Sequence, residues 1–296
     1  MTAPAATIGS IPEDRPVGLW TDALRRMRRS PAAIIGGTIV GFFVLIAIFA
    51  PFLAPYDPRI GNLGESYLPP GPEHWFGTNV QGQDVLSRII FGSRLTLGIA
   101  VLSVVLGVSI GAFFGALAGY FRGWVDSLIM RTVDIMLSIP GLLFAIAVVS
   151  WLGRGIIQIA VAIAIVNVPI FARLLRGSLL SLRDADYVVA ARSVGVRGPT
   201  LLVRHMLPNA IGPLIVQATL ALATAVVDAA ALGFLGLGPP DPRTPEWGMM
   251  LSDTYRYLND AVYLAFFPGV AIVLSVLGFN LLGDGMREAL DPRLRR

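Results

Sequence analysis

The sequence predicts an all-α polytopic membrane protein, on the basis of its composition and of six long apolar runs. Hydrophobic residues make up 55% of the 296 residues and charged residues only 14%, and the mean hydropathy is +0.71. A water-soluble domain carries roughly 25% charged residues. This chain therefore has too little polar surface for a water-facing globule, and much of its surface must face lipid.

Each of the six apolar runs is long enough to cross the hydrocarbon core of a bilayer, which takes about 20 helical residues. In lipid, runs this apolar satisfy their backbone hydrogen bonds only as helices. We therefore predict six transmembrane helices, at residues 31–56, 95–121, 124–153, 155–172, 206–236 and 261–283. The first run is too long for the apolar core of a signal peptide, so we expect an uncleaved helix.

The arginines predict how these helices are oriented. They are dense before the first helix, between the fourth and the fifth, and after the sixth, and they are sparse in the other connections. By the positive-inside rule the dense segments are cytoplasmic. The expected organisation is a cytoplasmic arm at 1–30, a first transmembrane helix at 31–56, an extracytoplasmic segment at 57–93, a five-helix core at 94–283 that includes a cytoplasmic loop at 173–209 and an extracytoplasmic loop at 237–260, and a cytoplasmic tail at 284–296.

The sequence lacks residues that several kinds of catalytic and cofactor site require. It has no cysteine, which excludes disulfides, iron–sulfur clusters and thiol catalysis, and its two histidines, His74 and His205, lie far apart. It has no lysine, which a Walker A phosphate loop and a Schiff-base cofactor both need. These absences predict no metal site, and the chain cannot hydrolyse ATP by the usual P-loop chemistry.

The loop at 173–209 should begin with a short helix. Ser181 or Asp184 can cap the N-terminus of this helix, and Gly195 can end it. The helix carries small alanines on one face and is flanked by arginines. A functional helix, a solvated amphipathic loop and a loop lying on anionic lipid all fit this pattern.

A second short helix should follow in the same loop. It should start at Gly198 and run to about Met206, where Pro208 breaks it and Asn209 caps the fifth membrane helix.

Four glycines recur at every fourth position of the second helix: Gly107, Gly111, Gly115 and Gly119. Small residues at this spacing let two helix backbones approach closely in lipid. The contact could line a pathway or a subunit interface, but we favour packing within the chain.

Acidic residues inside the predicted helices are candidates for functional sites, because a charge in the membrane is costly and usually faces protein or water. Asp228 lies about midway along the fifth run, where it could line a translocation pathway or make a polar contact in the bundle. Asn167 and Phe234 are further pathway candidates. Asp134 lies three residues after Arg131, and we expect an ion pair between them.

The loop at 173–209 resembles the EAA loop of ABC importer permeases, through Ala190–Ala191, Gly195 and Leu207–Pro208. In that family the loop forms a coupling helix that docks into a groove on the ATPase subunit. The family's glutamate is replaced here by Val189, with an acid three residues earlier at Asp186. The resemblance implies that the following residues contact the ATPase: Asp186, Tyr187, Val189, Ala190, Ala191, Arg192, Gly195 and Val196.

Three other segments, at 74–94, 233–248 and 279–293, are similar to stretches of dipeptide and oligopeptide ABC importer permeases, and 54–58 fits the C-type member of the permease pair. The resemblance covers about residues 23–296. It implies a type I permease fold in the bacterial plasma (inner) membrane, where the chain would form half of a peptide pathway. The implied partners are a homologous second permease, two ABC ATPase subunits or domains that carry the ATP and Mg²⁺, and an extracytoplasmic solute-binding protein. The resemblance also implies a non-catalytic chain that binds no metal or cofactor of its own and no nucleic acid.

Other functions remain open from the sequence. The same importer class also includes carriers of haem or nickel chelates. A proton-coupled secondary transporter could use Asp134 and Asp228 as a relay, although the sequence shows no obvious matching halves with broken helices. A membrane anchor or assembly protein would leave Asp228 unexplained.

Overall fold

The computed structural model describes residues 24–257 and 260–290, so most of the predicted arm and the last residues of the predicted tail lie outside the described residues. Within this part of the chain, all regular structure except one isolated bridge between Thr78 and Asp84 is helical. The main helices are α1 Pro31–Leu53, α2 Val85–Phe121, α3 Gly123–Ser138, α4 Gly141–Leu152, α5 Ile156–Leu182, α6 Asp186–Ser193, α7 Leu207–Leu232, α8 Trp247–Thr254 and α9 Tyr263–Leu290. The predicted all-α polytopic fold is confirmed.

The third predicted transmembrane helix is not one straight helix. Five segments of the described chain are long and apolar enough to span a membrane, and a sixth span exists only if α3 and α4, which meet at 96°, are counted together. The break lies at Ile139, whose backbone is extended, immediately before Pro140. Proline disfavours a helical conformation in the preceding residue and has no N–H to donate, so the prediction of a continuous helix was wrong.

Three helices extend further than their apolar runs. The second predicted helix, α2, begins at Val85, where Asp84 caps it by accepting a hydrogen bond from the Ser87 amide at 2.7 Å. The fourth predicted helix, α5, continues to Leu182, into the predicted loop. The sixth, α9, continues to Leu290, into the predicted tail. Hydropathy marks only the part of a helix that is apolar enough for lipid, and a helix can continue beyond it.

The predicted break at Pro208 is absent. A helical turn at Gly198–Thr200 and a π-helical turn at Leu201–Met206 lead directly into α7. Pro208 lies in the first turn of α7, where a missing N–H is tolerated. Asn209 is not a cap: its side-chain amide donates to the carbonyl oxygen of His205 at 2.7 Å.

The centre of the bundle is the contact between α2 and α5. The four glycines spaced along α2 all lie against α5. A Cβ on Gly111 would lie 2.6 Å from the carbonyl oxygen of Val168, and one on Gly115 would lie 2.5 Å from that of Ala172. Only glycine allows the backbones to come this close, and the glycine ridge therefore packs within the chain.

The ends of the helices opposite α6 are covered by residues 54–84 and α8. Arg88 is 1% exposed and donates to the carbonyl oxygens of Pro58 and Arg243, both at 3.3 Å, which ties two separate connections to α2. Trp247, fully buried at the start of α8, donates from its indole nitrogen to the carbonyl oxygen of Ile89 at 3.1 Å.

Candidate functional site

The short helix α6 is attached to the bundle chiefly through one side chain. Val188 is completely buried in a cluster formed by the end of α5, the π-helical turn and the start of α7. Around it, Tyr187 is 41% exposed, Val189 is 48% exposed and Ala190 is exposed. Val188 is the one fully buried residue of α6, and the helix presents most of its surface outward.

The caps of α6 differ in part from the prediction. Neither Ser181 nor Asp184 caps it, since the helix begins after Ala185 without a side-chain cap. Its C-terminal turn does contain Gly195 in the left-handed region, with φ of 81°, and a Cβ there would meet nothing within 4 Å. Asp186 in the first turn and Arg192 in the last turn complement the helix dipole.

The predicted contact residues of α6 do not all lie on its exposed surface. Ala191 and Val196 are half-buried and pack against the cluster around Val188, and the amide of Val196 donates to the carbonyl oxygen of Ala191 at 3.1 Å. Burial raises the pKa of Tyr187, although a hydrogen bond with Asn209 opposes this rise. The outward surface thus consists of the longer exposed side chains around Ala190.

Asp228 is half-buried on α7, and its carboxylate has no hydrogen bond or ion pair among the residues that the structure describes. It lies four residues before α7 ends at Leu232, so it is near the α8 end of the helix and not about midway along it as predicted. α8 packs close by, since a Cβ on Gly248 would lie 2.1 Å from the carbonyl oxygen of Ala230.

Two further polar residues lie on the same face of α7 as Asp228. At about 100° per residue, Gln217, Thr224 and Asp228 fall within about 40° of one another around the helix axis. None of the three is buried. Gln217 also lines a groove of about 680 Å³ between α5 and α7, together with Arg173 and Ser178. Gln217 and Thr224 were not predicted as site residues, although their spacing from Asp228 indicates a shared helix face.

The other two pathway candidates lie elsewhere. Asn167 is 5% exposed, its side-chain amide donates to the carbonyl oxygen of Ile163 at 3.0 Å, and it lies where α5 packs against Gly107 of α2. Phe234 is 45% exposed on the π-helical segment Gly233–Leu237 that follows α7. The structure thus does not bring either residue onto the polar face of α7, and their role in a pathway stays a prediction.

The predicted ion pair between Arg131 and Asp134 is wrong. Asp134 pairs instead with Arg173 of α5, and Asp126 accepts two hydrogen bonds from Arg176, at 2.5 and 2.6 Å. Because α3 lies alongside α5, acids two turns apart on one helix meet arginines one turn apart on the other. These two ion pairs hold α3 against α5, the helix that precedes α6.

Comparison with known proteins places this arrangement in a family. Residues 107–296 match the family described as the binding-protein-dependent transport system inner membrane component, and residues 18–70 match the N-terminal transmembrane domain of oligopeptide transport permease C. The first match covers more than half of the chain. The chain belongs to the binding-protein-dependent transport permease family. It is therefore a non-catalytic, multi-pass inner-membrane permease of the ABC importer class.

Similar proteins agree with this assignment. The permease is 45% identical to the dipeptide transport system permease protein DppC of Alkalihalophilus pseudofirmus, over 96% of this chain and 94% of that protein. It is 43% identical to the glutathione transport system permease protein GsiD of Escherichia coli, over 93% and 91% of the two chains. Its fold resembles the inward-facing MetNI methionine ABC transporter, with a TM-score of 0.58 and 21% identity over 69% of this chain and 96% of that chain. The predicted type I permease fold is confirmed.

Proposed function

We propose that this permease forms half of the translocation pathway of an ATP-driven importer of small peptides. Its relatives include permeases named for dipeptide and for glutathione transport, which are both small peptides. Within the proposed complex, a second homologous permease completes the pathway, two ABC ATPase subunits or domains supply the ATP and Mg²⁺, and an external solute-binding protein delivers the peptide. Haem or nickel chelates are the alternative cargo in the same class.

The observation that carries the proposed ATP coupling is the exposed helix α6. It is held chiefly by Val188, which packs against the end of α5 together with Ala191, and it presents Val189 and Ala190 outward. A helix that is anchored on one side and bears a small residue on its exposed side can enter a cleft on a partner without a large change in its own packing. We therefore place the ATPase contact on the exposed side of α6, around Ala190.

The substitution Ala190→Trp tests this contact. Added bulk should block docking, so that the ATPase is lost during purification and ATP-driven uptake is abolished, while the permease stays inserted and paired with its sister subunit. Ile48→Trp is the matched control, because Ile48 is 60% exposed on α1, far along the chain from α6. Normal ATPase retention and normal uptake in Ala190→Trp would show that α6 is an ordinary solvated helix.

We also propose that both ends of the chain and α6 lie in the cytoplasm, as the arginine distribution indicates. The natural sequence has no cysteine, so single cysteines can report the side of the membrane without background. Glu73→Cys and Ser193→Cys both place the thiol at an exposed position. An impermeant thiol reagent should label intact cells only through Glu73→Cys. Labelling of Ser193→Cys from outside would overturn the orientation.

A further inference from the structure

A pocket of about 410 Å³ lies where the ends of α2 and α5 meet the segment that contains α6 and the π-helical turn. Its apolar lining comes from Leu179, Leu202 and Met206, and its polar lining comes from Tyr120, Arg183 and Arg192. The polar face of α7 does not account for this pocket, since Gln217 does not line it, and of the residues predicted to contact the ATPase only Arg192 does.

The two arginines of the pocket are unpaired in the part of the chain that the structure describes. Among the described residues, neither the Arg183 nor the Arg192 side chain makes a hydrogen bond or an ion pair. Further back along α5, Arg173 and Arg176 are both paired with acids of α3. No carboxylate is found among the lining residues that the structure describes, so the pocket holds two uncompensated positive charges.

The position of the pocket indicates where a compensating anion would come from. Tyr120 is the second-last residue of the membrane helix α2, and Leu179 is three residues from the end of α5. Tyr120 also lies at the end of the apolar run of α2, the part of that helix suited to lipid, so this side of the pocket lies at the boundary between the hydrocarbon core and the aqueous phase, where tyrosine is enriched. A free phosphate would use the arginines but not the apolar floor, whereas a phospholipid uses both.

We propose that this pocket binds an anionic phospholipid, with the headgroup phosphate between Arg183 and Arg192 and the glycerol and upper acyl chain on Leu179, Leu202 and Met206. Arginine forms strong, charge-assisted hydrogen bonds with phosphate, and basic pockets between membrane helices suit anionic headgroups.

The bound lipid would also brace the coupling region. Arg183 follows the last residue of α5, and Arg192 lies in the last turn of α6. A phosphate bonded to both arginines joins the ends of these two helices, and Val188 already anchors α6 to Leu179 and Met206 in the same cluster. The lipid therefore holds α6 in the orientation that the proposed ATPase contact requires.

The direct test is lipid retention by the full chain, purified with its partner subunits in nanodiscs of phosphatidylcholine that contain increasing phosphatidylglycerol. Native mass spectrometry should show one saturable phosphatidylglycerol on the wild type. Loss of one arginine contact near the membrane surface should weaken this retention about fivefold in Arg183→Gln. Arg183→Lys keeps the charge and should restore most of it. Arg197→Gln is the matched control, because Arg197 is an exposed arginine of the same segment that does not line the pocket.

Three outcomes would overturn the site. The first is the absence of saturable retention in the wild type, and the second is equal retention in Arg183→Gln and the wild type. The third is full displacement of the lipid by excess inorganic phosphate, which would show that the pocket takes a free anion. A separate uptake measurement, in which phosphatidylglycerol should stimulate the wild type but not Arg183→Gln, rests on the proposed function. Retention without stimulation would therefore contradict the bracing role and leave the lipid site standing.

Discussion

The carboxylate of Glu246 lies against Gly233, so close that a Cβ on Gly233 would fall 2.2 Å from Oε2. Glu246 is fully buried and caps α8, accepting hydrogen bonds from the amides of Gly248 at 3.0 Å and Met249 at 2.9 Å. It also accepts one from the Thr96 hydroxyl at 3.2 Å. One buried acid thus joins α2, α8 and the segment that follows α7, and the absence of a side chain at Gly233 makes room for it.

The first prediction is a pH dependence of stability that arises from Glu246. Burial raises the pKa of this carboxyl above its ordinary value of 4.5, and the hydrogen bonds from Gly248, Met249 and Thr96 only partly oppose this. The folded protein therefore holds this proton more tightly than the unfolded chain does. The resulting stability is fully present below the unfolded pKa and is lost as pH rises through the folded pKa.

Thermal unfolding of the wild type and Glu246→Gln, measured from below the unfolded pKa of Glu246 to above its raised folded pKa, tests this loss of stability. The glutamine variant loses one acceptor, which lowers its stability by a constant amount, but it has no proton to release. Its melting temperature should therefore fall less with rising pH than that of the wild type. Parallel pH profiles for the two proteins would show that Glu246 does not titrate in this range.

The second prediction concerns the close contact between α2 and α5. Gly111→Ala places a methyl group 2.6 Å from the carbonyl oxygen of Val168, and overpacking of this kind costs about 1–3 kcal/mol. Gly98→Ala is the matched control in the same helix, because a Cβ there meets nothing within 4 Å. Thermal unfolding in detergent should show a clear loss for Gly111→Ala and no loss for Gly98→Ala. An equal effect of both substitutions would mean that the loss is a helix property and not a packing contact.

The contact between α2 and α5 was predictable because it depends on a local pattern. Glycines at every fourth residue mark one helix face whatever that face meets, and Gly195 marks a left-handed turn through its own backbone freedom. The spacing of Gln217, Thr224 and Asp228 was readable in the same way. The break before Pro140 was also predictable, because proline disfavours a helical conformation in the residue before it. The continuous apolar run on both sides of Pro140 led to the prediction of one helix instead.

The partners of the charged residues were not predictable from the sequence. Arg131 is the nearest arginine to Asp134 along the helix, yet the acid pairs with Arg173. That choice depends on α3 lying alongside α5, which in turn depends on the 96° angle between α3 and α4. A contact between residues far apart in the chain follows from such angles, and single-sequence spacing carries no information about them.

The third prediction is that the two ion pairs between α3 and α5 contribute unequally to stability. The side chains of Arg176 and Asp126 are 30% and 18% exposed and meet through two hydrogen bonds, whereas those of Arg173 and Asp134 are 53% and 64% exposed. A double-mutant cycle with Arg176→Gln and Asp126→Asn should give a coupling energy of about 1 kcal/mol.

The same cycle with Arg173→Gln and Asp134→Asn is the internal control, and exposure to solvent should keep its coupling below about 0.5 kcal/mol. The free energy of unfolding of each purified variant provides the measurement. If the exposed pair couples as strongly as the partly buried pair, burial does not determine how firmly α3 is held to α5.

The fourth prediction is that Asp228 serves transport and not assembly. A carboxylate facing lipid would cost up to about 2.5–3.5 kcal/mol at the membrane centre, and Asp228 has no partner among the described residues. Its face of α7 also carries Thr224 and Gln217, and Gln217 reaches the groove beside α5. This polar face therefore suits the wall of a water-filled route, with Asp228 near the end covered by α8.

Asp228→Asn keeps the size and most of the hydrogen bonding of the side chain but removes its charge. We expect the carboxylate to accept a charge-assisted hydrogen bond from the passing peptide. Such a bond contributes about 1.5–3 kcal/mol, so its loss should lower peptide uptake about tenfold or more. Co-purification of the partner subunits should stay normal. Thr219→Val is the matched control, because Thr219 lies buried on another face of α7 and bonds to the carbonyl oxygen of Ile215 in its own helix. Unchanged uptake by Asp228→Asn would exclude a role for the charge, and lost assembly with it would assign Asp228 to the subunit interface.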